Sequence, residues 1–214
     1  MKSTIQNQLR LCLVTDPQLC AALGLVTTVR RAVAGGVTMV QLRDKTATTA
    51  QRIEMALALK QALAGSGVAI IINDDVMAAV AADVDGAHVG QGDVPPDQAR
   101  SMLGAGKILG LSCETPQTVQ AADPKVVDYL GLGPVFGTAT KTDHARPIGF
   151  DGLARLVALS PLPTIAIGGL KPAHVQDVRA SGADGIAVVS AICGHADPCA
   201  AARAFQQDKP EHPA

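Results

Sequence analysis

The stretch AADVDGAH (81–88) has a close copy later in the chain, ASGADGIA (180–187). Each copy begins at the end of an apolar segment with helical spacing, passes through a short turn, and ends in a run of small and β-branched residues. A repeated helix-to-strand turn is what a chain of similar βα units produces. The two copies therefore predict a fold built from repeated strand–helix units.

Short apolar runs alternate with amphipathic segments along the whole chain, which supports that prediction. We predict strands over 11–15, 37–43, 68–73, 86–90, 107–112, 127–133, 163–169 and 185–190. We predict helices over 19–33, 49–63, 76–82, 95–103, 116–121, 153–159, 172–180 and 198–205. Eight βα units fit a closed (β/α)8 TIM barrel or an open doubly wound α/β sheet. The count of eight favours the barrel, as does the lack of a G-x-G-x-x-G motif after the first strand.

Composition limits both the number of domains and the kinds of partner. With 214 residues the chain can form one core, so we expect a single domain over 1–214 with a frayed polar tail at 206–214. Hydrophobic residues make up 48% and aromatic residues 2%, so small aliphatic side chains must build the core. A net charge of -1 and the scarcity of aromatic residues argue against binding to nucleic acid.

Cysteine usage and hydropathy bear on the cellular compartment. The five cysteines are odd in number and form no CxxC pair, which predicts free thiols in a reducing cytoplasm. The start of the sequence has no signal-peptide apolar region, and no uncharged apolar run approaches the ~20 residues that a membrane crossing needs. We therefore expect a cytoplasmic protein that does not contact membranes. The oligomeric state stays open, with a homodimer as one alternative.

Polar side chains cluster after the predicted strands, at the end of the barrel where enzymes of this fold carry their active sites. Gln41, Arg43 and Lys45 alternate along the end of the second strand, so they share one face. Asp74 and Asp93 follow the third and fourth strands. These groups fit either simple ion pairs or a Mg²⁺ site that one or two carboxylates form with substrate phosphates.

The last two strands end in IGGL (167–170) and VVSAI (188–192). Gly168 and Gly169 let the backbone approach an oxyanion closely, and Ser190 can donate a hydrogen bond. Either feature alone would suit an ordinary turn. Because they follow consecutive strands, they predict a site for a phosphate monoester.

The stretch GLGPVFGTATKTDHARPIG (131–149) lies between the two anion sites in chain order. Thr138, Thr140 and Lys141 could donate hydrogen bonds to either ligand, with Gly137 and Gly149 as hinges. The stretch fits a lid that excludes water from a reactive intermediate, or a disordered surface loop.

Other reactive residue types have weaker patterns around them. We expect His88 to be a satisfied core residue and Cys113 to be a small buried thiol. His144, His174 and His195 show no metal-ligand spacing.

The motifs QLRDK, IINDD, HVGQGD, LGLSCET, YLGLGPVFGTATK, IAIGGL and GADGIAVVSAI, in this order, closely resemble the thiamine-phosphate synthase family. The resemblance runs from about residue 11 to residue 205. It implies a compact TIM-barrel transferase that couples two phosphorylated heterocycles. These substrates are 4-amino-2-methyl-5-hydroxymethylpyrimidine diphosphate and a thiazole phosphate, and the products are thiamine phosphate and pyrophosphate.

The resemblance also implies roles for particular residues. Pyrimidine diphosphate contacts fall on Gln41, Leu42, Arg43, Asp44, Lys45, Asn73, Ser112 and Lys141. Thiazole phosphate contacts fall on Thr138, Ala139, Thr140, Gly169, Val189 and Ser190. Mg²⁺ ligands fall on Asp74 and Asp93, and catalytic roles on Arg43, Lys45, Ser112 and Lys141. Diphosphate departure would leave a pyrimidine cation, and this step needs charge neutralisation rather than a general base.

Three positions depart from the commonest family pattern. Asp44 stands where Glu is frequent, Gly137 where Pro is common, and Glu114 where His is often seen. The last difference bears on one alternative, a thiazole tautomerase-like isomerase acting on the thiazole phosphate alone. Another alternative is a non-catalytic sensor that keeps the pocket.

Overall fold

The computed structural model describes residues 4–137 and 146–206, and its strands form a closed parallel barrel in the order β1 to β8, with β8 paired to β1. The strands are β1 (Leu11–Val14), β2 (Met39–Leu42), β3 (Ala69–Asn73), β4 (Gly86–Val89), β5 (Ile108–Cys113), β6 (Tyr129–Leu132), β7 (Thr164–Ala166) and β8 (Gly185–Val188). The predicted (β/α)8 barrel is confirmed, and the open sheet is excluded.

Helices cover the outside of the barrel and alternate with the strands. They are α1 (Ile5–Leu9), α2 (Pro17–Cys20), α3 (Leu25–Ala34), α4 (Thr49–Ala62), α5 (Val76–Ala81), α6 (Pro96–Leu103), α7 (Pro116–Gln120), α8 (Gly149–Leu159), α9 (Val175–Ala180) and α10 (Pro198–Arg203). A 3₁₀ turn at Pro172–His174 leads into α9.

The prediction of one helix over 19–33 is wrong. The chain forms the short α2 and then α3, which begins after Gly24. Gly24 has a φ of 78°, a conformation that glycine adopts freely and that interrupts a right-handed helix. α8 also begins earlier than predicted, at Gly149, and α1 is an additional helix.

The repeated turn ties neighbouring strands together. Aspartates that directly precede β4, β6 and β8 accept a main-chain hydrogen bond from the strand before: Asp85 from Ile70 N (2.7 Å), Asp128 from Leu109 N (2.7 Å) and Asp184 from Thr164 N (2.8 Å). In both copies of the turn a glycine follows, because a Cβ at Gly86 or Gly185 would collide with the backbone of a neighbouring segment. The aspartate thus fixes the register of adjacent strands, and the glycine lets a neighbouring segment approach closely.

The core has two layers. Most buried aliphatic side chains lie between the barrel and its helices, and a smaller cluster fills the barrel interior. Leu9 of α1 is fully buried in that inner cluster with Met39, Ile71 and Tyr129. α1 therefore covers the N-terminal end of the barrel, and the interior is accessible from the C-terminal ends of the strands.

Within residues 4–137 and 146–206, no helix combines the length and apolarity that a membrane crossing requires.

Candidate active site

A cavity of about 460 Å³ opens at the C-terminal ends of the strands. Its floor is formed by inward-facing side chains of the barrel, including Cys12, Tyr129 and Ile165. Ten of the predicted site residues line it: Gln41, Arg43, Lys45, Asn73, Asp74, Asp93, Ser112, Gly169, Val189 and Ser190. The structure therefore brings together residues that are up to 149 positions apart along the chain, Gln41 and Ser190 being the most distant.

Two predicted pyrimidine contacts do not line this cavity. Leu42 is 1% exposed and packs in the outer core. The Asp44 carboxylate accepts hydrogen bonds from Thr46 and Ala47 in the following loop. Leu42 points away because alternate residues of a strand face opposite sides of the sheet, whereas Asp44 follows β2 and its carboxylate bonds within its own loop. The contacts of Leu42 and Asp44 with the pyrimidine diphosphate stay predictions.

The predicted contacts Thr138, Ala139, Thr140 and Lys141 lie outside the described residues, as does His144.

Asp74 and Asp93 form a close pair of carboxylates. Asp74 has a φ of 64°, which is uncommon for a residue other than glycine. Its N–H donates to the His88 carbonyl (2.8 Å), and Asp93 accepts a hydrogen bond from Gly90 N (2.7 Å). Burial raises the pKa of Asp74 to about 6, and a hydrogen bond to Asp93 and the negative charge of Asp93 add to this rise. The ionised form of Asp74 is therefore unfavourable while Asp93 beside it is also charged.

Arg43 and Lys45 stand beside the acidic pair, and their positive charges act to lower the pKa of Asp74. The buried Thr15 anchors this end of β2, because its Oγ1 accepts from Arg43 N (2.9 Å) and donates to Arg43 O (3.2 Å). One side of the cavity thus carries two cations that follow β2 and two carboxylates that follow β3 and β4.

The opposite side of the cavity is made of main chain. Gly168 and Gly169 have φ values of 93° and 66°, and Gly168 O accepts a hydrogen bond from Phe136 N (3.1 Å). After β8 the chain makes a tight turn in which the N–H groups of Ile192 and Cys193 both donate to Val189 O. Backbone N–H groups at the start of such a turn can bind an oxyanion.

Several cavity residues escaped sequence reasoning. Tyr129 is fully buried and hydrogen-bonded to His88 Nδ1 (2.8 Å), and His88 Nε2 bonds to Ser112 Oγ (2.9 Å). His88 is a satisfied buried residue, as predicted, but it also lines the cavity. Gln91 and Glu114 line the cavity as well. The His88–Tyr129 contact follows from strand pairing, because β4 carries His88, β6 carries Tyr129, and both strands pair with β5.

The expectation for Cys113 is confirmed, because the residue is fully buried and its Sγ donates to Thr118 O (3.4 Å). Burial raises the pKa of its thiol to about 11. All five cysteines are free thiols. The Cys113 thiol is therefore protonated at neutral pH and is a poor nucleophile.

The acidic pair is suited to a hard divalent cation. Carboxylate oxygens are the ligands that Mg²⁺ prefers, and one or two of them commonly bind it together with substrate phosphates. In the part of the chain that the structure describes, no group of three or more His, Cys, Asp or Glu side chains could form a complete protein-only metal site. The two carboxylates therefore fit a metal ion whose remaining ligands come from a substrate.

The closed barrel and the polar cavity at its C-terminal rim define the class: a TIM-barrel protein with the active-site location usual for enzymes of this fold. A family model described as thiamine monophosphate synthase matches residues 11–192. The thiamine-phosphate synthase of Xanthobacter autotrophicus is 54% identical over 198 residues, 92% of this chain and 94% of that protein. The Psychrobacter thiamine-phosphate synthase is 52% identical over 92% of this chain and 93% of its own.

A solved structure is also similar to this chain over nearly its whole length. The thiamine phosphate pyrophosphorylase from Pyrococcus furiosus superposes with a TM-score of 0.85 and 33% identity, covering 95% of this chain and 96% of that one. The chain belongs to the thiamine-phosphate synthase family. The family name denotes a transferase of thiamine biosynthesis that handles small phosphorylated substrates.

Proposed function

We propose that this protein couples 4-amino-2-methyl-5-hydroxymethylpyrimidine diphosphate with a thiazole phosphate, giving thiamine phosphate and pyrophosphate. One observation supports this proposal above the others: a single cavity combines an acidic pair and two cations on one side with a glycine-rich turn on the other. Two phosphorylated substrates that meet in the middle would use both sides at once. Family membership points to the same reaction.

The pyrimidine diphosphate would bind along the ends of β2 to β5. Arg43 and Lys45 would contact the diphosphate oxygens, since guanidinium and ammonium groups are the usual phosphate partners. Asn73 and Ser112 line the same cavity and would orient the pyrimidine. Lys141 would add a third cation to the diphosphate.

Asp74 and Asp93 would hold Mg²⁺. When bound, the ion would neutralise charge on the departing diphosphate. The raised pKa of Asp74 supports this assignment, because a cation between the two carboxylates would remove the repulsion that the pair otherwise carries.

The bond between the pyrimidine methylene and the diphosphate would break first, with the electron pair leaving on the diphosphate oxygen. The 4-amino group stabilises the resulting pyrimidine cation. Gly169, Val189 and Ser190 would hold the thiazole phosphate, and Thr138 to Thr140 would add further contacts to it. The thiazole nitrogen then supplies the electron pair of the new C–N bond, and its fixed position favours this attack over attack by water.

The test is a two-substrate assay with the purified protein and Mg²⁺, in which pyrophosphate and thiamine phosphate are both measured. We expect the two products in equal amounts and no turnover after chelation of the metal. Asp93→Asn should lower the rate about 100-fold or more, because it removes charge at the proposed metal site. Asp97→Asn is the matched control, since Asp97 lies in the first turn of α6 and does not line the cavity.

Absence of thiamine phosphate with both substrates present would contradict the proposal. Proton exchange on the thiazole phosphate alone, without pyrimidine or Mg²⁺, would favour the isomerase instead. Tight binding without any product would favour the sensor.

A further inference from the structure

The ends of β2 and β3 carry cations and a carboxylate of the proposed diphosphate site, and beyond their last pair each end bonds to its other neighbour. The pairing of the two strands ends at Leu42 and Ile72. The next residue, Arg43, donates its N–H to the Oγ1 of Thr15, which follows β1 (2.9 Å), whereas Asp74 N donates to a carbonyl oxygen of β4 (2.8 Å). A further contact is therefore needed to hold the two ends in register with each other.

Arg52, near the start of α4, provides that contact. Its Nε and Nη2 donate to Asp44 O (3.0 and 2.8 Å), and its Nη1 donates to Asp75 Oδ2 (2.9 Å). Asp44 lies between the two cations of the site, and Asp75 directly follows the first carboxylate. One guanidinium thus joins the segment that carries the cations to the segment that carries the carboxylate.

Both partners of Arg52 are themselves fixed. The Asp44 carboxylate accepts hydrogen bonds from Thr46 N (2.8 Å) and Ala47 N (3.0 Å), and the second carboxylate oxygen of Asp75 caps α5 by accepting from Ala78 N (2.9 Å). The Arg52 side chain is 18% exposed and that of Asp75 is 12% exposed. Water screens this ion pair less than it screens a pair on the open surface, so the bridge is an ordered part of the rim.

We propose that Arg52 is a positioning residue, which holds Arg43 and Lys45 in register with Asp74 so that a diphosphate and its metal ion are bound at the same time. Arg52 is not among the described residues that line the cavity, so it acts through its two partners. The planar guanidinium suits this role because its fork of donors reaches two acceptors in a fixed geometry. This inference rests on the proposed function, since it takes a diphosphate with Mg²⁺ as the ligand.

The test measures binding of inorganic pyrophosphate by calorimetry, once in EDTA and once in excess Mg²⁺. In EDTA only the cations hold the probe, so Arg52→Met should bind it within about threefold of the wild type, because the deleted charge was already paired with Asp75. In Mg²⁺ the cations and the carboxylates must act together. There Arg52→Met should bind about 10- to 100-fold more weakly than the wild type, the usual loss when a residue that orients metal ligands is removed.

Arg100→Met is the matched control. Arg100 of α6 also joins a carboxylate, Asp128 Oδ2 (2.6 Å), to main-chain carbonyls such as Lys107 O (2.6 Å), and its side chain is 17% exposed. Its partners precede β5 and β6, at the opposite end of the barrel. Both variants should lower the melting temperature by about 5 °C, but Arg100→Met should bind pyrophosphate like the wild type in EDTA and in Mg²⁺.

Arg52→Lys separates position from charge. Lysine keeps the positive charge but lacks the planar fork, so this variant should also lose affinity in Mg²⁺ and keep it in EDTA. Wild-type affinity of Arg52→Lys in Mg²⁺ would show that charge alone matters, which would overturn the inference. The same variant provides the test if Arg52→Met does not fold.

The outcomes separate the inference from the proposed function. Equal losses in EDTA and in Mg²⁺, or an equal loss in Arg100→Met, would refute the positioning role of Arg52. A wild type that forms thiamine phosphate while Arg52→Met keeps full affinity in Mg²⁺ refutes the inference alone. A wild type that neither binds pyrophosphate with Mg²⁺ nor forms product refutes the proposed function, and the inference with it.

Discussion

Asp74→Asn should make the metal-free protein more stable while it removes activity. The raised pKa of Asp74, about 6 against an ordinary 3.8, means that its ionised form is held unfavourably in the folded state. That difference corresponds to about 3 kcal/mol, and solvent screening of a partly exposed carboxyl reduces it to about 1–2 kcal/mol. Asn has nearly the same shape, and it tolerates the left-handed backbone at this position.

The effect depends on pH with a definite sign. Between about pH 4 and pH 6 the folded wild type holds a proton that the unfolded chain has lost, so its stability falls as pH rises through this window. Asp74→Asn has no titrating group at this position, so its stability does not fall for this reason as pH rises. We expect its melting temperature to exceed that of the wild type by about 2–8 °C at pH 7 and by nothing below about pH 4.

The assay is thermal unfolding in the presence of a chelator at several pH values, with Asp97→Asn as the control. Pyrophosphate release should fall about 100- to 1000-fold in Asp74→Asn, because it loses a proposed metal ligand. Added Mg²⁺ should raise the melting temperature of the wild type and leave that of the variant unchanged. A variant that is less stable than the wild type at pH 7, or a difference independent of pH, would refute the electrostatic reasoning.

Three further predictions follow from particular positions. Thr164 Oγ1 is buried and has no hydrogen-bond partner among the described residues, so Thr164→Val should raise the free energy of unfolding in urea by about 1 kcal/mol; a decrease would show that the hydroxyl is satisfied. Gly169→Ala should raise KM for the thiazole phosphate about 100-fold, because its Cβ would lie 2.7 Å from Gly137 O in a backbone with φ 66°. Gly104→Ala is the control, since its φ is 84° and its Cβ would meet nothing within 4 Å, and equal effects of the two variants on KM would refute the reasoning. Protonation of Asp74 should weaken Mg²⁺ binding as pH falls through about 6; Mg²⁺ titrations that give one affinity at pH 5 and pH 7.5 would contradict this.

The barrel could be predicted because its sequence signals are local. Parallel strands buried on both faces read as continuous apolar runs, and the β3 and β8 segments show this plainly. The Asp-Gly turns repeat because the aspartate of each one accepts the same kind of main-chain hydrogen bond from the preceding strand. The break at Gly24 was missed because its apolar neighbours continue the helical spacing across it.

Ten of the predicted site residues line one cavity at the strand ends, since fold topology alone brings those ends together. Strand alternation could have shown that the Leu42 side chain faces away from the cavity, because its neighbours Gln41 and Arg43 both line the cavity. The hydrogen-bonded pair of His88 and Tyr129 was not visible in the sequence. Its members come from separate strands, and their contact depends on barrel closure and on the space that glycines leave.

The most direct test of the proposed reaction is product formation from the two purified substrates with Mg²⁺, followed by mass spectrometry. The proposed function predicts thiamine phosphate and pyrophosphate in equal amounts, dependent on Mg²⁺ and nearly abolished in Asp93→Asn. Unchanged substrates after prolonged incubation of the folded wild type with Mg²⁺ would contradict it.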